Sequence, residues 1–243
     1  MTESIYYDLK QISSLAPSLS AQVAREIGRR IISQAYAPGD LVEDEGSLAD
    51  KYQVSRTVIR DAIKILVGKG LLEVRRGKGT RVRSRTDWGL LDNDVLAWYQ
   101  SAPPNDEILR QLMEFRLTFE PKASRWAADR ASEDEIALIE DSLEKMEAER
   151  GSVENFVIAD AQFHRSILRA ANNEFLAALE GVIFSALLSS IRLTNQAPRD
   201  NEDSIPFHRE VFQAIRDRDG EKAESVMEIL LKDANRRLGN CLD

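Results

Sequence analysis

Only two histidines occur in the 243 residues, and both fall in the second half of the chain. Asp160 and His164 stand at i and i+4, one turn apart on one face of a helix. His208 belongs to a separate helical stretch, Phe207-His208-Arg209-Glu210-Val211-Phe212. A carboxylate and two imidazoles converging inside a helical body would suit Zn²⁺ or a similar divalent ion. By spacing alone, a local hydrogen bond is the commoner use of an Asp/His pair. A second group offers different chemistry. Arg56, Arg60 and Lys64 repeat every four residues, Ser55 and Thr57 stand beside them, and Arg76-Gly77-Lys78-Gly79 follows. Guanidinium groups pair bidentately with guanine edges, and hydroxyls and ammonium groups meet phosphate oxygens. Glycines let a backbone approach a polyanion closely while Arg76 and Lys78 reach phosphate or the minor groove. Taken alone, the Arg56/Arg60/Lys64 face also reads as a solvated helix surface.

The elements that must position these residues are legible in the pattern. Ser20 is a candidate N-cap for a helix carrying Val23, Ile27 and Ile31, which ends in the turn Ala37-Pro38-Gly39-Asp40. Ser47, with Asp50 three residues on, predicts a second short helix burying Leu48, Ala49 and Tyr52. After a break at Gln53-Val54, Ser55 caps a third helix. Its inner face is expected at Val58, Ala62, Ile65 and Leu66, with Ile59 and Ile63 beside them, and Gly68 and Gly70 close it. Leu71–Arg75 and Thr80–Arg83 read as a hairpin with the basic tip between them. Two short helices about a tight break, followed by a hairpin, form a winged helix-turn-helix. In that arrangement the first turn of the third helix enters the major groove, so Arg56 and Arg60 face base edges. From residue 105 onward the periodicity is helical throughout. Helices are expected near 106–130 (bent at Pro121), 132–150, 152–171, 173–194, 205–218 and 220–240.

The charge distribution supports two bodies with different partners. The chain as a whole carries a net charge of -8, yet residues 51–85 hold eleven Lys/Arg against Asp61 and Glu73, a net of +9. Residues 87–243 hold 18 basic and 31 acidic residues, a net of -13. A basic module on an acidic body is the footprint of a nucleic-acid binder whose remaining surface repels the polyanion. Cys241 is the only cysteine, so the chain has no internal disulfide framework. No apolar run approaches the roughly 18–20 residues that span a bilayer, and the first ten residues lack the pattern of a secretion signal. A cytoplasmic location with no membrane partner is expected. The division expected is an N-terminal arm at 1–16, the winged helix at 17–86, a helical connector at 87–105 and an all-helical domain at 106–243. The connector's Trp88, Leu96 and Trp98 are expected to pack on a neighbouring domain, with Asp92 or Asp94 capping a short helix.

The string APGDLVEDEGSLADKYQVSRTVIRDAIKILVGKGLLEVRRGKGTRV resembles the DNA-binding domain of GntR-family regulators. The shared marks are the Pro38-Gly39 turn, Glu45-x-x-Leu48-Ala49, Val54-Ser55-Arg56, Arg60-Asp61-Ala62, Gly70-Leu71 and the wing glycines. The resemblance implies that Ser55, Arg56, Thr57, Arg60, Arg76 and Gly77 contact DNA, with Lys78 beside them in the wing. Gly46 stands where members similar to FadR carry a DNA-contacting arginine. Gln53 replaces the usual turn glycine, so a left-handed residue is expected there.

Residues 106–238 resemble the FCD effector domain of the FadR subfamily, through Glu114-Phe-Arg116, Glu120-Pro121, Asp160-x-x-x-His164, His208 and Asp219-Gly220-x-x-Ala223. The fold class implied is mainly α, with a winged helix-turn-helix of three helices plus a β-hairpin joined to a bundle of six to seven helices. Metal-binding members use an aspartate, a histidine four residues later and two further histidines about 22 residues apart. Asp160, His164 and His208 match three of these, and the fourth falls at or near Leu230, which cannot ligate. The resemblance also places Arg116 where many members carry an effector-pocket arginine; a salt bridge with Glu120 is the competing reading of that residue. Asn195 and Ser204 are further candidate effector contacts.

The function implied is a ligand-responsive transcriptional regulator, a repressor of a carbon-catabolism operon released by a small carboxylate. Its partners would be operator DNA, the effector and a second copy of itself, and its pattern is most similar to sugar-acid (galactonate-type) responsive regulators. Two readings compete: a metal-dependent enzyme acting on a small organic acid, and an architectural DNA binder with no sequence preference.

Overall fold

The computed structural model describes residues 17–102, 105–194 and 198–242, with side chains left out at 101, 186, 190–202 and 240–242. The N-terminal arm and Asn195 lie outside the described residues. The chain forms two compact units, one ending at Pro103 and the other beginning at Pro104.

In the first unit, α1 spans Leu19–Ile32, α2 Glu45–Tyr52 and α3 Arg56–Gly68. An antiparallel hairpin follows, β1 Leu72–Arg75 and β2 Gly79–Val82, in the register Leu72↔Val82 to Arg75↔Gly79. Val42 N–H donates to the Thr80 carbonyl at 2.9 Å and Val82 N–H to Asp40 at 3.0 Å, so the segment before α2 lies along the wing. The caps shift two expectations. Ser18, not Ser20, caps α1. Asp44, not Ser47, caps α2, because its carboxylate accepts from both Gly46 and Ser47 N–H. Ser55 caps α3 as expected, accepting from Val58 N–H at 3.3 Å. Gln53 adopts the left-handed conformation (φ 54°, ψ 47°), the backbone state a glycine would otherwise supply. The buried stripe of α3 is Ile59, Ala62, Ile63 and Leu66, while Val58 and Ile65 are only partly buried. This is one residue's rotation from the expected face, set by packing against both α1 and α2.

Residues 87–102 belong to this unit. Asp92 caps α4 (Asn93–Ser101), and Trp88, Val95 and Trp98 sit in the same core as Ile27, Ile59 and Leu66. A Cβ at Gly28 would overlap the Trp98 ring, so α1 must carry a glycine where α4 crosses it. Lys69, at the end of α3, reaches Asp92 at 2.7 Å and Asp94 at 2.6 Å and lies over Trp98. Burial alone would lower the Lys69 pKa, but the two carboxylates outweigh it and hold it above the usual value.

The second unit is helical among its described residues: α5 Asp106–Arg130, α6 Glu133–Ala148, α7 Val153–Ala170, the short α8 Glu174–Ala178, α9 Glu180–Thr194, α10 Pro198–Arg216 and α11 Gly220–Leu242. Ser132 and Glu135 form a reciprocal capping box at α6, and Ser152 and Asn173 cap α7 and α8. The stretch expected as one helix at 173–194 breaks at Leu179, and α10 starts earlier than expected, at Pro198. Helix α5 packs along α11 and against α7, and α10 packs on α11 and α6, so α5, α7 and α10 can meet inside the bundle.

Candidate functional site

Each of three helices delivers part of a buried polar cluster. Helix α7 turns Asp160 and His164 inward along with Phe156, Phe163 and Ile167, α10 brings His208, and α5 brings Arg116 and Glu120. All five are at least nine-tenths buried, and Arg116 is the only fully buried Lys or Arg among the described residues. Asp160 Oδ1 lies 3.2 Å from His164 Nε2 and 3.3 Å from His208 Nε2, and the three ligand atoms fall within 4.8 Å of one another. Phe163 meets both imidazole rings edge-on, at centroid distances of 5.7 and 5.2 Å.

The proton positions follow from the neighbours. His208 Nδ1 is 2.8 Å from the Ser204 carbonyl, which can only accept, so Nδ1 carries a proton and Nε2 is the nitrogen turned toward Asp160. On His164, Nδ1 is 2.5 Å from Glu120 Oε2, and Arg116 lies 3.4 Å from Nε2. Glu120 itself is gripped by Arg116 Nε at 2.6 Å and by a second guanidinium nitrogen at 3.5 Å. Burial would raise the Glu120 pKa, but the Arg116 and His164 charges hold it down at about 2. Burial likewise opposes ionisation of Asp160, and the two adjacent histidines outweigh it, leaving the carboxyl well below its usual range. Burial would lower the His164 pKa; Glu120 and Asp160 raise it above the usual value.

Asp160 Oδ1 and His208 Nε2 are buried with no well-aligned hydrogen-bond partner, though they face each other. Unsatisfied buried acceptors are costly, and a shared cation removes the cost. Two ligands at about 2.0–2.1 Å from a tetrahedral Zn²⁺ are roughly 3.3 Å apart, which matches the two Asp160–histidine separations. The donor set therefore fits a divalent ion. Leu230 is buried in α11 and offers no fourth ligand. The Arg116–Glu120 salt bridge forms within one helix and is buried, not superficial. Glu120, legible in the sequence only as a salt-bridge partner for Arg116, also stands against His164. Its signal was the i, i+4 position relative to Arg116, which on most helices marks a solvated pair.

In the first unit, Ser55, Arg56, Thr57 and Arg60 are exposed at the start of α3, and Arg76, Gly77 and Lys78 are exposed at the tip of the wing. Capping occupies a lone pair of the Ser55 oxygen and leaves its O–H to donate. Gly77 takes φ 71° in a turn closed by Lys78 N–H to the Arg75 carbonyl at 2.9 Å. The Arg60 Nε is bound to Glu45 at 2.7 Å. Gly46 leaves room for the Arg56 side chain, because a Cβ there would stand 3.2 Å from the guanidinium. The arginine expected at 46 is thus replaced by space that Arg56 occupies.

Comparisons with known proteins agree with this architecture. Residues 19–82 match the family described as bacterial regulatory proteins, gntR family, and residues 111–233 match the FCD domain. The galactonate operon transcriptional repressor of Escherichia coli is 32% identical over 213 residues, 87% of this chain and 93% of that protein. The HTH-type transcriptional regulator LutR of Bacillus subtilis is 27% identical, covering 78% of this chain and 87% of that protein. Among solved structures, Streptococcus agalactiae GntR has a TM-score of 0.51 at 25% identity, covering 89% of this chain and 99% of that one. A Listeria monocytogenes protein, described as "Lar controls the expression of the Listeria monocytogenes agr system and mediates virulence", has a TM-score of 0.67. At 17% identity, covering 93% of this chain and 99% of that one, it supports the fold alone. These relatives are transcription regulators, which removes the enzyme reading, and an effector domain is more than an architectural DNA binder needs. The chain belongs to the GntR family, in its FCD-containing branch, and is a ligand-responsive DNA-binding transcriptional regulator.

Proposed function

We propose that this regulator is a homodimeric repressor acting in the cytoplasm on a pseudo-palindromic operator, released when a small sugar acid enters the helical unit. The observation that carries this is the buried Asp160–His164–His208 cluster with Arg116 beside it. With neutral histidines, Arg116, Glu120 and Asp160 sum to one negative charge. A divalent ion, Zn²⁺ by the donor set, would turn that into one positive charge, which a single effector carboxylate balances. The bound ion supplies a Lewis-acidic anchor for a carboxylate or hydroxyl oxygen. Three protein ligands leave positions for those oxygens. Arg116, with Ser204 and Asn195 as further candidates, would orient the rest of the effector. The similarity to a galactonate operon repressor makes aldonates the first class to test.

On the DNA side, Arg56 and Arg60 read base edges, Ser55 and Thr57 position α3 on phosphates, and Arg76, Gly77 and Lys78 follow the backbone at the wing. Effector binding repacks the bundle and shifts the population of dimers whose two α3 helices match the operator spacing. A coupling of about 1–3 kcal/mol is enough for a several-fold to 100-fold change in operator affinity. The test is operator binding by mobility shift, with and without Zn²⁺ and a panel of aldonates. Release by one aldonate that is lost on chelation supports the reading. Operator affinity indifferent to every aldonate and to chelation would overturn it.

A further inference from the structure

Arg116 has a partner that the effector role does not require. Its Nε and a second guanidinium nitrogen hold Glu120, and another contact, at 3.4 Å, runs to His164 Nε2 on a different helix. On the other edge of the same imidazole, Glu120 Oε2 stands 2.5 Å from Nδ1. An ionised carboxylate only accepts and a guanidinium only donates. The nitrogen facing Glu120 therefore carries the proton, even though its N–H is not aligned along the contact; the other nitrogen faces both the Arg116 guanidinium at 3.4 Å and Asp160 Oδ1 at 3.2 Å, and the guanidinium favours a lone pair there. The opposite tautomer would give Asp160 a donor on Nε2, but would set that N–H against the Arg116 N–H and a lone pair against the nearer carboxylate of Glu120.

Resting on the reading that the cluster takes a divalent ion, we infer that Arg116 and Glu120 are positioning residues that set the tautomer and orientation of His164 from both edges of its ring. The arrangement parallels Ser204 on the other histidine, where a backbone carbonyl fixes His208 in the same tautomer at 2.8 Å. One ligand histidine is thus oriented by its own helix and the other by α5. Any movement of α5 reaches the ligand directly, since the i, i+4 pair and His164 are all buried. Residues that orient a metal-binding imidazole typically change affinity 10–100-fold when removed.

The chain has two histidines, so ¹⁵N-histidine labelling of the full protein gives a spectrum with only two imidazoles to assign. In the metal-free wild type, His164 should show a protonated Nδ1 with a downfield proton. The R116M/E120M exchange removes both clamps without changing the net buried charge. It should convert His164 to a tautomer mixture, leave His208 unchanged, and weaken Zn²⁺ binding, read by competition with a chromophoric chelator, by 10–100-fold. E120Q keeps an acceptor but loses the charge; it should move the His164 proton upfield and weaken Zn²⁺ several-fold, and it decides the matter if the double exchange does not fold. An unchanged His164 spectrum and Zn²⁺ affinity within two-fold of wild type in the folded variant would overturn the assignment, as would a wild-type His164 protonated at Nε2 and not at Nδ1. Wild-type protein that binds no Zn²⁺ yet keeps the Glu120-dependent His164 proton would instead sink the metal reading and leave the positioning role standing.

Discussion

At the scale of single residues, the arginines of α3 and the lysine of the wing differ in what they can recognise. Arg56 presents a planar fork suited to a guanine edge, whereas Lys78 is a point charge suited to phosphate. Replacing Arg56 by alanine is expected to cost about 1–3 kcal/mol on the operator and little on random duplex, flattening the sequence preference. Lys78→Ala should weaken both duplexes alike and reduce the salt dependence by about one counterion. Parallel titrations on operator and scrambled DNA separate the two, and equal effects would contradict the groove assignment. In the effector unit, the raised His164 pKa has a consequence of definite sign. Below that pKa a metal ion must displace a proton from the ring, so affinity falls as pH falls, about tenfold per pH unit for each proton released. Zn²⁺ affinity measured across pH 5–8 checks this, and a flat profile would mean that His164 is not a ligand. Arg116 adds a second sign. A cation 3.4 Å from the ligand nitrogen opposes the metal until an anion arrives, so an effective aldonate should tighten metal binding by the same factor as metal tightens the aldonate.

At the scale of elements, α4 is part of the DNA-reading unit. Trp98 lies against Gly28 of α1, the Gly89 N–H donates to the Lys69 carbonyl at 2.9 Å, and Lys69 ties the end of α3 to Asp92 and Asp94. Lys69→Met should cost about 1–2 kcal/mol, less than a fully buried pair, because the carboxylates keep 34% and 42% of their surface exposed. Chemical denaturation of the winged-helix unit reads the loss directly. The variant should also bind operator more weakly, since α3 and α4 would no longer be held in one arrangement. Unchanged stability would show that the apolar contacts of Trp98 alone fix α4. In the other unit, the depressed pKa of Glu120 means that its stabilising pairs are complete above about pH 4.5 and are lost as pH falls toward 2.

At the scale of the whole molecule, charge separates the two jobs. The stretch of net +9 within a chain of net -8 confines attraction for DNA to one unit. Operator affinity should therefore fall steeply with salt, while aldonate affinity at the buried cluster should change little, because exposed charges are screened far more than buried ones. Binding isotherms at 50 and 200 mM salt give the comparison, and equal slopes would refute the division. No described helix is long and apolar enough to cross a membrane. With two compact units, thermal unfolding in two steps is expected, the effector stabilising the second step selectively.

The winged helix was readable because its signals are local. A capping serine, an obligatory turn, glycines at positive φ and a repeating basic face each act within a few residues, and a long ordered motif ties them together. The inward face of α3 was not local, being set by packing against α1 and α2, whereas the cap of α2 is a local choice that fell to Asp44 instead of Ser47. For the helical unit, periodicity supplied the helices, and two histidines with one aspartate supplied the donor set. Neither spacing nor composition could bring His208 to within 3.3 Å of a residue 48 positions earlier in the chain, or turn an ordinary i, i+4 arginine–glutamate pair into a buried clamp on His164. Those outcomes depend on how α5, α7 and α10 cross. Helix crossing is decided by side-chain packing summed over the whole core, which makes Glu120 a functional residue only in three dimensions.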